Sequence, residues 1–161
     1  MLRSFLFASI SLIATSAFSS TFADEVLVSK ADKRLHLIKD KKILRSFDVV
    51  FGENPIGHKQ QEGDERTPEG SYTLDYKKED SAYFRAIHIS YPNAQDIAQA
   101  KAKNVKPGGA IMIHGQRNGF GWAARLTQQF NWTNGSIALT NEDMQVVWDS
   151  VLPGTPIVIK P

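Results

Sequence analysis

A chain of 161 residues has room for one domain with a substantial buried core. Its 19 basic and 17 acidic residues leave a formal charge of +2, which gives no concentrated basic face of the kind nucleic acid requires. Cysteine is absent, so disulfides, zinc–thiolate sites and a lipid-modified cysteine are excluded, and any chemistry must run without a thiol.

The first predicted element is a secretory signal peptide over residues 1–23. Arg3 precedes an apolar run from Phe5 to Phe18, and small residues follow through Ser19, Ser20 and Thr21 to Ala23. The run is short of the roughly 20 apolar residues that span a bilayer. Cleavage after Ala23 would leave a domain of residues 24–161 with no transmembrane span, exported to the periplasm or cell envelope. An uncleaved N-terminal anchor is the alternative, and it too places the domain outside the cytoplasm.

Strands are predicted next. Glu25 to Ser29 and Arg34 to Ile38 alternate apolar and polar residues, and Asp40-Lys41 turns the chain into Ile43 to Phe51. Gly52 to Gly70 is a long polar loop, a length that is uncommon unless functional. Ser71 to Tyr76 and Arg85 to Ser90 read as further strands. Asn93 caps a helix that runs to Asn104, where Pro107-Gly108-Gly109 follows. Ala110 to Ile113 is a short apolar strand ending at His114-Gly115, and Phe120 to Phe130 is a candidate helix. Thr140 caps a last helix with Met144, Val147, Trp148 and Val151 on its buried stripe, before a closing strand over Pro156 to Lys160. The sum is a mainly β domain with two or three short helices.

Candidate chemistry is thinly spread. His114 follows an apolar strand and precedes a glycine, so its ring can emerge at a sheet edge and accept a proton. A strand-end histidine more often just closes a turn. Ser136 follows Gly135 in a tight bend, where backbone N–H groups can stabilise an oxyanion, although turn serines are common for simpler reasons. The loop Gly63 to Gly70 offers Arg66 to a carboxylate. His36, His58 and His88 show no metal-ligand spacing, so no metal site is expected.

Taken in order, these segments resemble the YkuD-type L,D-transpeptidase catalytic domain, in particular its small periplasmic branch of murein transpeptidases and peptidoglycan–lipoprotein hydrolases. Arg66-Thr67-Pro68-Glu69-Gly70-Ser71-Tyr72 is similar to the family's T-P-x-G-x-Y/F element, and Gly57 to Asp64 to the run that leads into it. His88-Ile89-Ser90-Tyr91-Pro92-Asn93 matches H-I-S-Y-P-N, and Ile113-His114-Gly115 matches the catalytic-histidine motif. Gly135-Ser136-Ile137-Ala138-Leu139-Thr140-Asn141 matches G-C-I-A-L-T-N, with Ser136 in place of the nucleophilic cysteine and Ala138 where the wider family has arginine.

The resemblance implies a β-sandwich-like catalytic domain that acts on peptidoglycan stem peptides, with an envelope lipoprotein as a further partner and no cofactor. The family's nucleophile attacks the carbonyl of a meso-diamino acid, and an amine or water resolves the acyl-enzyme. Carried over residue by residue, His114 is the general base, the Gly115 carbonyl orients its ring, and amides at Gly135 and Ser136 form the oxyanion hole. Arg66, His88 and Tyr91 are the expected substrate-binding residues.

Serine changes the chemistry more than the shape. A thiol of reference pKa about 8.5 can be held as thiolate by a histidine, whereas an alcohol must lose its proton as it attacks. Three readings stand: a native serine in a weak or dead peptidoglycan-binding pseudoenzyme, a native serine nucleophile, or a substitution in a cysteine enzyme.

Overall fold

The computed structural model describes residues 22–161. The predicted signal segment lies outside the described residues, except for its last two positions. Of these, Ala23 belongs to the folded body: it is buried, and its N–H donates to the Ser150 carbonyl at 2.8 Å.

Alternation along the first strands sets the sheet. β1 (Glu25–Ser29) buries Val26 and Val28, and β2 (Arg34–Lys39) buries Leu35 and Leu37. Asp40 and Lys41 both have positive φ, the conformation a two-residue hairpin loop requires, and they deliver β3 (Lys42–Asp48) antiparallel to β2. β4 (Gly70–Ser81) pairs with β5 (Phe84–Ile89), which pairs with β6 (Met112–His114), which runs parallel to β7 (Ile137–Ala138). β8 (Thr155–Lys160) returns to the middle, parallel to β1 and antiparallel to β4. The order is β3-β2-β1-β8-β4-β5-β6-β7 in one sheet.

That sheet curls until its edges meet. Val50, just past β3, exchanges backbone hydrogen bonds with Ala138 in β7, at 3.1 and 2.9 Å. The side chains pointing inward, among them Phe51, Leu74, Ile87, Ile113, Ile137 and Ile157, form one core. The mainly β expectation holds.

Among the described residues, three helices decorate the sheet. α1 (Ala94–Ala102) starts at a reciprocal capping box between Asn93 and Asp96. α3 (Asn141–Ser150) is capped by Thr140 and packs Met144 and Val147 into the core. The helix expected over Phe120 to Phe130 shrinks to a 3-10 turn (Gly121–Ala123) and a single turn, α2 (Ala124–Thr127). Phe120, Trp122, Leu126 and Phe130 are half or more exposed, so no buried face supports a longer helix there.

β4 is twice as long as expected, because two bulges let it follow β5 around the curl. Asp75 and Tyr76 together oppose His88, and Glu79 and Asp80 together oppose Arg85. The strand expected over Ala110 to Ile113 begins only at Met112 and includes His114.

Candidate active site

β6 and β7 bring the two motif residues together. Ile113 pairs with Ile137 and His114 with Ala138, so Ser136 stands level with Met112, one side-chain alternation from His114 on the same sheet face. Strand spacing and a two-residue rise put their Cα atoms about 8 Å apart. Both side chains line one open pocket of about 420 Å³, with Tyr83, Trp132, Thr133 and Asn134 as further walls.

His114 is 5% exposed. Its Nδ1 lies 2.7 Å from the Gly115 carbonyl, which can only accept, so Nδ1 carries the proton and Nε2 keeps its lone pair. Tyr83 tilts over the ring at 4.7 Å between centroids and Trp132 meets it edge-on at 5.6 Å. Burial pulls the imidazole below the usual histidine range, with the Gly115 carbonyl partly opposing. A neutral base at neutral pH results. Position 115 admits no side chain, since a Cβ there would stand 2.6 Å from Asn141 Oδ1.

The turn before β7 is held by Thr133. Its hydroxyl donates to the Ser136 carbonyl at 2.6 Å and accepts the Gly135 N–H at 3.2 Å. Gly135 has a φ of 125°, and a Cβ there would stand 2.6 Å from the Arg66 carbonyl. Ser136 Oγ accepts the Met112 N–H at 3.1 Å. The hydrogen bond of this hydroxyl is therefore to a backbone amide, and none joins it to His114 among the described residues.

Gly52 to Gly70 is a scaffold for that turn. Asp64 accepts from the Gln60, Gln61 and Arg66 N–H groups and pairs with the buried Lys59 at 2.8 Å. Burial would raise the Asp64 carboxyl, but the Lys59 ammonium and those three N–H groups outweigh it and hold it below the usual range. Lys30, also buried, donates to the Gly57 and Thr67 carbonyls and pairs with Glu69. His58 Nδ1 accepts the Glu69 N–H, so its Nε2–H donates to Asp96, which also accepts from the Tyr72 hydroxyl.

The expected substrate-binding residues part company. Arg66 places its carbonyl against Gly135 and its guanidinium toward Gly57, outside the pocket lining, with Nε buried and unbonded. Tyr91 is buried and donates its hydroxyl to the Pro107 carbonyl at 2.8 Å. His88 stands on the pocket face of the sheet, level with Met112. Gly135 N–H, expected in the oxyanion hole, is the one bonded to Thr133.

Sequence reasoning missed Tyr83 and Trp132, the two rings around His114. Tyr83 reaches it from the β4–β5 hairpin, and no local pattern announces a contact made across the sheet. It also missed Gln116, which is buried and donates to the Leu139 carbonyl at 2.7 Å, tying the segment between the two motifs to the end of β7.

Known proteins resemble this chain in sequence and fold. YafK of Escherichia coli (strain K12), named as a candidate L,D-transpeptidase, is 32% identical over 111 residues, covering 65% of this chain and 43% of YafK. The helical cell shape determining protein Pgp2 of Campylobacter jejuni superposes with a TM-score of 0.62 at 30% identity, over 85% of this chain and 48% of Pgp2. A cysteine-to-serine mutant of the Enterococcus faecium L,D-transpeptidase shares the fold, with a TM-score of 0.55 at 17% identity over 85% of this chain and 49% of that one. The chain thus spans less than half the length of these relatives. Residues 23–159 match the family model of the YkuD L,D-transpeptidase catalytic domain, and the chain belongs to that family.

Proposed function

We propose that this domain acts on peptidoglycan stem peptides by acyl transfer at Ser136, with His114 as base. The observation that carries the reading is the shared pocket of Ser136 and a neutral, Gly115-oriented His114. As Ser136 Oγ bonds to the substrate carbonyl carbon, its proton passes to His114 Nε2. The Ser136 N–H supports the oxyanion, since Gly135 N–H is already bonded. Collapse of the tetrahedral species breaks the amide bond, and the leaving amine takes the proton from His114. Water or an acceptor amine then attacks the ester and frees Ser136.

Export to the periplasm or cell envelope by residues 1–23 fits this substrate, and among the described residues no helix is long and apolar enough to cross a membrane. A lipoprotein linked to the stem peptide is the second partner class.

One observation favours a pseudoenzyme reading. A hydroxyl that accepts the Met112 N–H and lacks a bond to its base is poorly prepared for attack. Incubation with tetrapeptide muropeptides separates the two. Release of the terminal residue by the unmodified protein, lost in His114→Ala and accelerated at least about tenfold in Ser136→Cys, is the expected result. Turnover by Ser136→Cys alone establishes the pseudoenzyme. Neither turnover nor binding by any form would sink both readings.

A further inference from the structure

The hairpin of β2 and β3 leaves the core behind. β1 and β2 bury alternate residues, whereas every residue from Asp40 to Ser46 is exposed, and Phe47 is the first of β3 to turn inward. β3 also stands at the end of the strand order, with β2 on one side only. Lysines alone guard such an edge against stray pairing. Adjacent apolar side chains do not, yet Ile43 is 58% exposed and Leu44 45%. They project from opposite faces of the strand, so only a medium that takes the edge from both sides covers both.

Positive charge surrounds the pair. Lys41, Lys42 and Arg45 are exposed, and among the described residues no carboxylate forms an ion pair with any of them. Asp24 is already engaged, by Lys39 at 3.9 Å and by the Asp40 N–H at 2.8 Å. Asp40 and Glu25 remain against the three cations. The chain also enters the folded body at this place. Lys39 Nζ donates to the Phe22 carbonyl at 3.2 Å, and the Asp24 N–H donates to the Ile38 carbonyl at 2.8 Å. Fully extended, the stretch from Phe18 to Phe22 spans at most about 14 Å, so the apolar run Phe5 to Phe18 ends within that reach of the hairpin. Ala23 is buried with its N–H on the Ser150 carbonyl, so a chain that folds before being cut there keeps its run.

We infer that the β2–β3 hairpin docks on the surface of an anionic phospholipid bilayer, tethered there by the apolar run before Phe22. Ile43 and Leu44 enter the headgroup layer edge-on, while Lys41, Lys42 and Arg45 meet lipid phosphates. Water at that depth still serves the open backbone edge of β3. The docking surface goes beyond the acyl-transfer reading and does not depend on Ser136.

The absence of cysteine makes a single introduced thiol a unique label. Leu44→Cys and, as a comparison on a distant exposed strand position, Glu79→Cys are each made in the full chain and tagged with a polarity-sensitive fluorophore. Vesicles of equimolar phosphatidylglycerol and phosphatidylcholine are expected to shift emission at position 44 to the blue and to leave position 79 unchanged. Adding Lys41→Glu and Lys42→Glu should lower the docked fraction at least about fivefold, and about 1 M salt should weaken docking without any charge variant. Equal shifts at both positions, an equal shift in phosphatidylcholine alone, or indifference to both salt and charge reversal would overturn the docking surface. An unshifted position 44 overturns it too, whether or not the chain sediments with the vesicles. Muropeptide turnover is read separately, so failure of the docking surface and failure of acyl transfer are distinguishable.

Discussion

His114 shows how one residue's surroundings set its chemistry. Two aromatic rings remove it from water, and the Gly115 carbonyl fixes which nitrogen is free. The same burial links the residue to stability. In the unfolded chain a histidine titrates near 6.5, whereas the folded ring resists protonation. The unfolded state therefore takes up the extra proton as pH falls below that value, and stability present above it is lost on acidification. Urea midpoints of the unmodified protein should fall more between pH 7 and pH 5 than those of His114→Gln. A steeper fall in the variant would contradict this account. The residues of the motifs were legible because their chemical types are rare in such order. Tyr83 and Trp132 were not, since a ring contact depends on the curl of the sheet and leaves no trace in local spacing.

Among the elements, the loop between Gly52 and Gly70 adds an internal framework to its sequence reading. A run of charges between glycines suggests a surface that greets a ligand, yet Lys59, Asp64 and Glu69 are paired within the protein, while Glu53 and Glu62 stay exposed. Asp64 gathers three N–H groups and Lys59, and the loop then presses the Arg66 carbonyl against Gly135. Removing one partner of a buried pair leaves the other uncompensated, so Asp64→Ala should cost about 3 kcal/mol in denaturant unfolding. Joint replacement by Lys59→Met and Asp64→Leu should recover part of that loss. Strand and helix positions were legible because alternation and capping act over a few residues. β7 was not, because two residues make no pattern, and neither was the length of β4, which is set by bulges against β5.

At the scale of the whole molecule, the sheet's two edges meet where Val50 bonds Ala138, partners more than half the chain length apart. Such a closure pays its loop entropy before its contacts repay it, unlike the local β1–β2 hairpin. Stopped-flow folding should then place this seam late. Val50→Ala and Ile137→Val are expected to speed unfolding while leaving the folding rate within about twofold, whereas Leu35→Ala slows folding. Slowed folding in the seam variants would reverse the order. The mainly β class was legible from alternation, but this meeting of edges was not, because no sequence pattern names a strand's distant partner. Its consequence is temporal. His114 and Ser136 stand together once β6 pairs with β7, but Thr133, whose hydroxyl braces the Ser136 turn, donates its N–H to the Phe51 carbonyl across the seam. The turn that carries Ser136 is therefore braced in full only when the edges have met.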